Sequence, residues 1–284
     1  MKKLTLILSL VMVASFCISA PRKARRRLQL AASGAFSPLD LGAKLAMWFD
    51  ASDSSTLLDA SDNVCTNGAA VKTWSDKSGN GRDATQATVA DQPTYQTGVR
   101  NGRAVIRTDG DDQLNISGTA GVFRNKTAGY IFIVAKDTDQ TGGELNHVFI
   151  GFWRNVVHSM RVSIYGRGIS DGWLGSGRRL DSDSFAGAVG PSNSGHTLIK
   201  GFSDWTNGYV RVSVSSADYI STAYSSGSGS TSDTAGAGAL IFWDLAGFRS
   251  PANSEIAEIV VVNAEMTDAE ITDLETYLSD KWDL

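Results

Sequence analysis

Three aspartates in Thr108-Asp-Gly-Asp-Asp-Gln113 are the residues best placed to do chemistry. Hard divalent cations take oxygen ligands, and Asp109, Asp111 and Asp112 offer three carboxylates in one short loop, so calcium is the ion expected, with Asp76 or Asp83 joining them in space. The competing and preferred reading is a turn, in which the Asp oxygens satisfy backbone N–H groups. Tryptophan offers a second chemistry, because an exposed indole stacks on the face of a sugar ring. Trp153, Trp173 and Trp205 flank Gly-rich or polar turns and are the candidates for carbohydrate contact, with core packing as the alternative for each. Trp48, Trp74 and Trp282 sit in apolar strand or helix patterns and are assigned to the core.

Catalytic motifs are missing. The sequence has no G-x-S-x-G elbow, no H-E-x-x-H and no G-x-x-x-x-G-K-S/T. His147, His158 and His196 are scattered and read as strand or loop residues. Gly79-Asn-Gly-Arg-Asp-Ala84 fits G-x-G-x-x-A, but Thr85, Thr88, Val89 and Pro93 follow it. No helix therefore starts there to face a pyrophosphate. Cys65 stands alone outside the N-terminal apolar run, which excludes a disulfide framework and a cysteine metal site and leaves a small buried side chain.

The charge is unevenly placed. Seven of the 26 basic residues lie in Lys2, Lys3, Arg22, Lys23 and Arg25 to Arg27, leaving 19 against 30 acidic residues, so the body carries −11 and should repel nucleic acid. Residues 1–20 have the plan of a secretory signal: Lys2-Lys3, an apolar core from Leu4 to Val13, then small residues. Pro21 and the basic run behind it fit cleavage and export badly. A signal cleaved near Ser19, an uncleaved anchor, and a true start at Met12 stay open. The arm 22–27 is read as a charged, solvated linker. Its sharper reading is contact with an acidic partner or a membrane surface.

These residues need a scaffold rich in short strands. Twenty-nine Gly against five Pro, with one recognisable long helix, argue for an all-β sandwich. Lys44 to Asp50 and Gly129 to Lys136 are apolar on both faces, as interior strands are. His147 to Trp153, Met160 to Ile164 and Tyr209 to Val214 read as further strands, and Ser225 to Ala239 as a mobile loop. Asn101-Gly102 signals a hairpin. Trp74-Ser-Asp-Lys-Ser-Gly-Asn-Gly81 ends a strand in a turn, with Asp76 and Ser78 folding back onto their own backbone. After the strand Glu255 to Val262, Thr267-Asp-Ala-Glu270 is a capping box opening a helix with Ile271, Leu274, Leu278 and Trp282 on one face. Glu258 on that strand is expected to be buried and tied to a neighbouring loop.

The W-x-D-x-S-G-N-G turn, the Trp48 strand running into Asp50-Ala-Ser-Asp53, the Asp-Gly-Asp-Asp loop between strands, and the terminal strand and helix ending at Lys281-Trp282 together resemble the concanavalin A-like, laminin G-like modules. The resemblance spares residues 137–250. It implies an antiparallel jelly-roll β-sandwich over 41–284 with one C-terminal α-helix at 267–282, behind a signal-like segment 1–20 and a basic linker 21–40. It implies a non-catalytic adhesion or structural module at a virion or cell surface, binding glycan or a neighbouring surface protein, with a virion component ahead of a secreted adhesin. Such folds often hold calcium at a loop rim. The alternative is a glycoside hydrolase of the same superfamily, whose E-x-D-x-x-E strand is absent here among the six glutamates.

Overall fold

A computed structural model describes residues 35–119, 121–138, 146–153, 162–166, 172–177, 186–224, 238–242, 248–249 and 254–284. The signal-like segment, the basic run 22–27, His158 and residues 225–237 of the Ser/Gly/Thr-rich stretch lie outside these residues. In chain order the strands begin with β1 (Leu45–Asp50), β2 (Leu57–Leu58), β3 (Thr73–Trp74), β4 (Ala84–Thr85), β5 (Thr94–Arg100) and β6 (Arg103–Arg107). Next come β7 (Leu114–Ile116), β8 (Ala128–Lys136), β9 (Asn146–Trp153), β10 (Val162–Gly166), β11 (Trp173–Gly177) and β12 (Ala186–Gly190). The last are β13 (Thr197–Asp204), β14 (Tyr209–Val214), β15 (Ile220–Ala223), β16 (Gly238–Ile241), β17 (Phe248–Arg249) and β18 (Glu255–Val262), before one helix, α1 (Asp268–Trp282). Gly238 and Ala239, expected in a loop, open β16 instead, where Ala239 packs into the core.

The chain forms an all-β sandwich of two sheets with a C-terminal helix. The first sheet runs β15-β14-β13-β8-β18-β6-β5, with β1 also on β18; the second runs β12-β11-β10-β9-β16-β7-β4-β3-β2, with β17 on β9. Among the described residues every strand pairing is antiparallel except the short β17–β9 contact. On β8, Ile131, Ile133 and Ala135 enter the core between the sheets, while Tyr130, Phe132 and Val134 face Leu274, Leu278 and Trp282 of α1. Both faces of the middle strands β8 and β18 are therefore covered, which is why they read as unbroken apolar runs.

A bulge sets the face on which Glu258 lies. The register of β18 against β8 shifts between Ile256 and Glu258. Ile256 and Ile259 both enter the inter-sheet core, while Ala257 and Val260 belong to the helix side. One extra residue thus resets the two-residue period and keeps Glu258 under α1 with Val260 and Val262.

The capping box forms as the sequence predicts: Glu270 N donates to Thr267 Oγ1, and Thr267 N donates to the Glu270 carboxylate. At the other end of α1 the β5–β6 hairpin, turned at Asn101 (φ 47°) and Gly102 (φ 69°), supplies donors. Arg100 Nε donates to Trp282 O at 2.7 Å, and Arg103 Nε and Asn101 Nδ2 each donate to Lys281 O at 3.0 Å. Two cations thus meet the negative end of the helix dipole.

Asp76 is the keystone of the turn after β3. Its Oδ1 accepts from Trp48 N (3.0 Å) and Ser78 N (2.9 Å), and its Oδ2 from Ser78 Oγ (2.8 Å) and Arg82 N (3.2 Å). Asn80 Nδ2 and Arg82 Nη1 then donate to Ala46 O, latching the turn to β1. Asp76→Ala is expected to lower unfolding free energy by about 3 kcal/mol, because it strands several donors. Asp76→Asn, which keeps the Oδ1 acceptor, should lose about half as much. Urea midpoints of the two variants equal to wild type would show that the turn does not hold β1.

Candidate functional site

The loop joining β6 to β7 carries the acidic cluster between the two sheets. Thr108 N donates to Ser254 O and Gln113 N to Asp91 O, which fix its ends. Inside it, Asp109 N donates to Asp112 Oδ2 at 2.8 Å, so the loop is a hydrogen-bonded turn. The three carboxylates also converge: one oxygen each from Asp109, Asp111 and Asp112 lies within 4.8 Å of the others. Asp112 is only 2% exposed. Burial above all, with the Asp109 and Asp111 charges adding, pushes its carboxyl up to about 7 against the hydrogen bond from Asp109. Asp111 is raised as well, by the Asp109 carboxylate beside it.

An all-oxygen donor set with crowded negative charge fits a hard divalent cation, and Ca2+ held by Asp109, Asp111 and Asp112 would relieve the repulsion. Asp76 does not join this set. Both of its oxygens are occupied by the turn, and Asp83 likewise accepts from Asp76 N at 2.8 Å.

Two tryptophans proposed as sugar platforms are core residues instead. Trp173 is 1% exposed and packs edge-on against Phe149 at 4.8 Å; Trp205 is fully buried against Phe123 at 5.6 Å. A strand whose turn residues are polar can still send its indole inward, and Gly129 leaves the space that Trp205 and Phe123 fill. Trp153 ends β9, and its side chain lies outside the described residues. Among the described residues the exposed aromatic is Tyr209, 39% exposed, next to Arg211 on β14. The alternation Tyr209-Val-Arg-Val-Ser-Val214 carried that signal, since Tyr209, Arg211 and Ser213 must share one face.

The carboxylates that come nearest to an acid–base pair are sealed. Asp50 and Glu258 are cross-strand partners on β1 and β18, 4% and 0% exposed. Burial raises Glu258, whereas Lys281 and Lys77 outweigh the burial of Asp50 and lower it. Diverging pairs of this kind can do acid–base work. Here, however, Glu258 Oε1 accepts from Trp48 Nε1 (2.7 Å) and Tyr277 OH (2.9 Å), and Oε2 from Trp282 Nε1 (2.6 Å) and Lys281 Nζ (2.8 Å). Glu258 is tied to the helix and to β1 rather than to a neighbouring loop.

A third carboxylate, Glu255, sits at the base of the acidic loop, 3% exposed. Arg107 Nε donates to its Oε1 at 2.8 Å and His196 Nε2 lies 3.0 Å from its Oε2. Burial acts to raise Glu255, but His196 and Arg107 more than offset it and leave the carboxyl below its ordinary value. The His196 side chain thus packs against the Glu255 carboxylate, while the His147 side chain lies outside the described residues.

No family model matches the chain, and no curated protein matches it. Solved structures do. A Trypanosoma rangeli sialidase in complex with 2,3-difluoro-KDN superposes with a TM-score of 0.55 at 10% identity, over 84% of this chain and 33% of that one. The botulinum neurotoxin serotype D ligand binding domain in complex with N-acetylneuraminic acid gives a TM-score of 0.51 at 8% identity, over 82% of this chain and 50% of that one. This chain therefore spans about a third of the sialidase and half of the toxin domain. At these identities the likeness is one of fold.

Two outcomes follow from this geometry. Calcium at one hundred times its dissociation constant should add about 2.7 kcal/mol, a rise in Tm of roughly 5 to 10 °C, and Asp112→Asn should abolish the rise. Identical melting curves in calcium and in EDTA would remove the ion from the loop. For Glu255 the folded carboxyl lies below 4.5, so its contribution is present above that pH and is lost as pH falls through the folded value. Glu255→Gln should cost about 3 kcal/mol at pH 7, with the deficit shrinking by pH 3. A deficit constant across that range would show that the pair carries no net charge stabilisation.

Proposed function

We propose that this chain is a non-catalytic binding module of the concanavalin A-like, laminin G-like kind, acting outside the cell on a virion or a cell surface, where it attaches to a glycan or to a neighbouring surface protein. The virion setting stands ahead of the secreted one. The observation that carries this reading is the sealing of the acid pair: Glu258 has no solvent-facing oxygen, because Trp48, Tyr277, Trp282 and Lys281 occupy both. An acid that must protonate a leaving group needs an open side. What the sandwich leaves for recognition is its loop rim, where Asp109, Asp111 and Asp112 would hold Ca2+, and its uncovered outer faces.

The fold likeness to a toxin domain seen with N-acetylneuraminic acid supports a glycan ligand in general. The likeness to a sialidase favours the second reading, a glycoside hydrolase, although this chain spans a third of that enzyme. A glycan array combined with a reducing-end assay separates the two. The binding module should retain polysaccharide and release no sugar, whereas reducing ends accumulating in proportion to protein would make the hydrolase the correct reading. Copurification with particles would place the chain on a virion; recovery only from the secreted fraction would place it on a cell surface.

A further inference from the structure

The outer face of the first sheet is only partly roofed by α1. By register, Lys200, Phe202 and Asp204 of β13 stand opposite Ser213, Arg211 and Tyr209 of β14, and all point to the helix side. The helix reaches as far as Lys200, whose Nζ meets Glu275 Oε1 at 2.7 Å. Beyond it lies a face with a particular build. Phe202 stacks flat on Tyr130, centroids 4.3 Å apart at 6°. The Arg211 guanidinium lies 5.3 Å from the Phe202 ring and 5.5 Å from the Tyr209 ring, so two aromatic side chains hold its position.

What Arg211 does not have is a protein acceptor within hydrogen-bonding distance. Its Nε is buried without a hydrogen-bond partner, and the carboxylate it pairs with, through Nη2, is Asp204 Oδ2, 3.9 Å away. Asp204 cannot swing closer without losing Asn207, whose N and Nδ2 donate to its two oxygens at 2.8 and 3.0 Å. The Tyr219 hydroxyl, on the side chain that packs under Lys200 Nζ, is also without a partner. A guanidinium one-third exposed, its Nη groups without an acceptor at hydrogen-bonding distance and an exposed phenol ring beside it, is arranged for a planar anion carried on an apolar-faced ring.

Building on the glycan reading above, we infer that Arg211 and Tyr209 form a subsite for a sugar acid. The guanidinium takes the carboxylate in a two-point hydrogen bond, and the C–H face of the sugar ring lies on Tyr209. Arg211 sets the preference for acid over neutral sugar, and Tyr209 contributes affinity for both.

The test is titration of the full chain, followed by calorimetry and saturation-transfer NMR, with matched probes: methyl glucuronide against methyl glucoside, and N-acetylneuraminyl-lactose against lactose. Wild type should bind at least one acidic probe tenfold or more tighter than its neutral parent, with the difference shrinking as salt is raised. Arg211→Gln should erase the preference; Arg211→Lys, which keeps charge but loses the fork, should weaken it about tenfold. Tyr209→Ala should weaken acidic and neutral probes together. Melting curves of the variants control for unfolding, and should Arg211→Gln fail to fold, Arg211→Lys and the salt series decide. Equal binding of acidic and neutral probes, or a preference unchanged in Arg211→Gln, overturns the subsite while leaving the glycan reading standing. Retention of no glycan by wild type overturns both.

Discussion

A single buried carboxylate ties the parts of this molecule together. An unpaired ionised carboxylate in a protein interior is prohibitively unfavourable, yet Glu258 is fully buried in the middle of the first sheet. It is tolerated because its donors come from two other elements: Trp48 from β1, and Tyr277, Lys281 and Trp282 from the last turns of α1. Lys281 passes the charge on to Asp50 at 2.8 Å, Asp50 to Lys77 at 3.0 Å, and Lys77 to Asp53 at 2.7 Å. The alternating chain runs from β18 through the helix to the turn after β3. Each member would be an uncompensated charge without the next, so helix, strand and turn hold their positions jointly.

The arrangement explains the division between scaffold and surface. Of the described carboxylates, those best placed for acid–base chemistry are occupied in holding α1 to the sheet. The crowded carboxylates lie elsewhere, in the acidic loop between β6 and β7, and the unpartnered Arg211 Nε lies on β14. Lys77, which bridges Asp50 and Asp53 in the charge chain, also lies 4.4 Å from the centroid of the Trp48 ring, so its stem and charge both serve the same joint.

Much of the scaffold was legible in the sequence, for identifiable reasons. Turn chemistry is local, so Asp76 and Ser78, Asn101-Gly102 and the Thr267–Glu270 box announced themselves within a few residues. The unbroken apolar run of β8 announced a strand covered on both faces. Glu258 could be read as buried, but not as bonded to Trp48 and Trp282, because those contacts span 210 and 24 residues and depend on a bulge at Ala257 that no periodicity reveals. The tryptophans misled for a related reason. Trp173 and Trp205 lie beside polar turns, and proximity in sequence to a turn does not say which way an indole points from the strand. Asp109, Asp111 and Asp112 were brought together by their own spacing, whereas Asp76 was assigned by type alone and proved already occupied.

The place of β18 has a consequence for how the chain is made. It is the last strand in sequence, yet it lies inside the first sheet, between β8 on one side and β1 and β6 on the other, and β1 has no other strand partner among the described residues. During synthesis from the N-terminus, β1 therefore waits without its strand partner until residues 255–262 have emerged, and the flank of β8 that pairs with β18 waits with it. Closure is a late, long-range event of the kind that slows folding and leaves sticky strands on display. The nascent chain is accordingly at its most vulnerable to misassociation just before β18 leaves the ribosome.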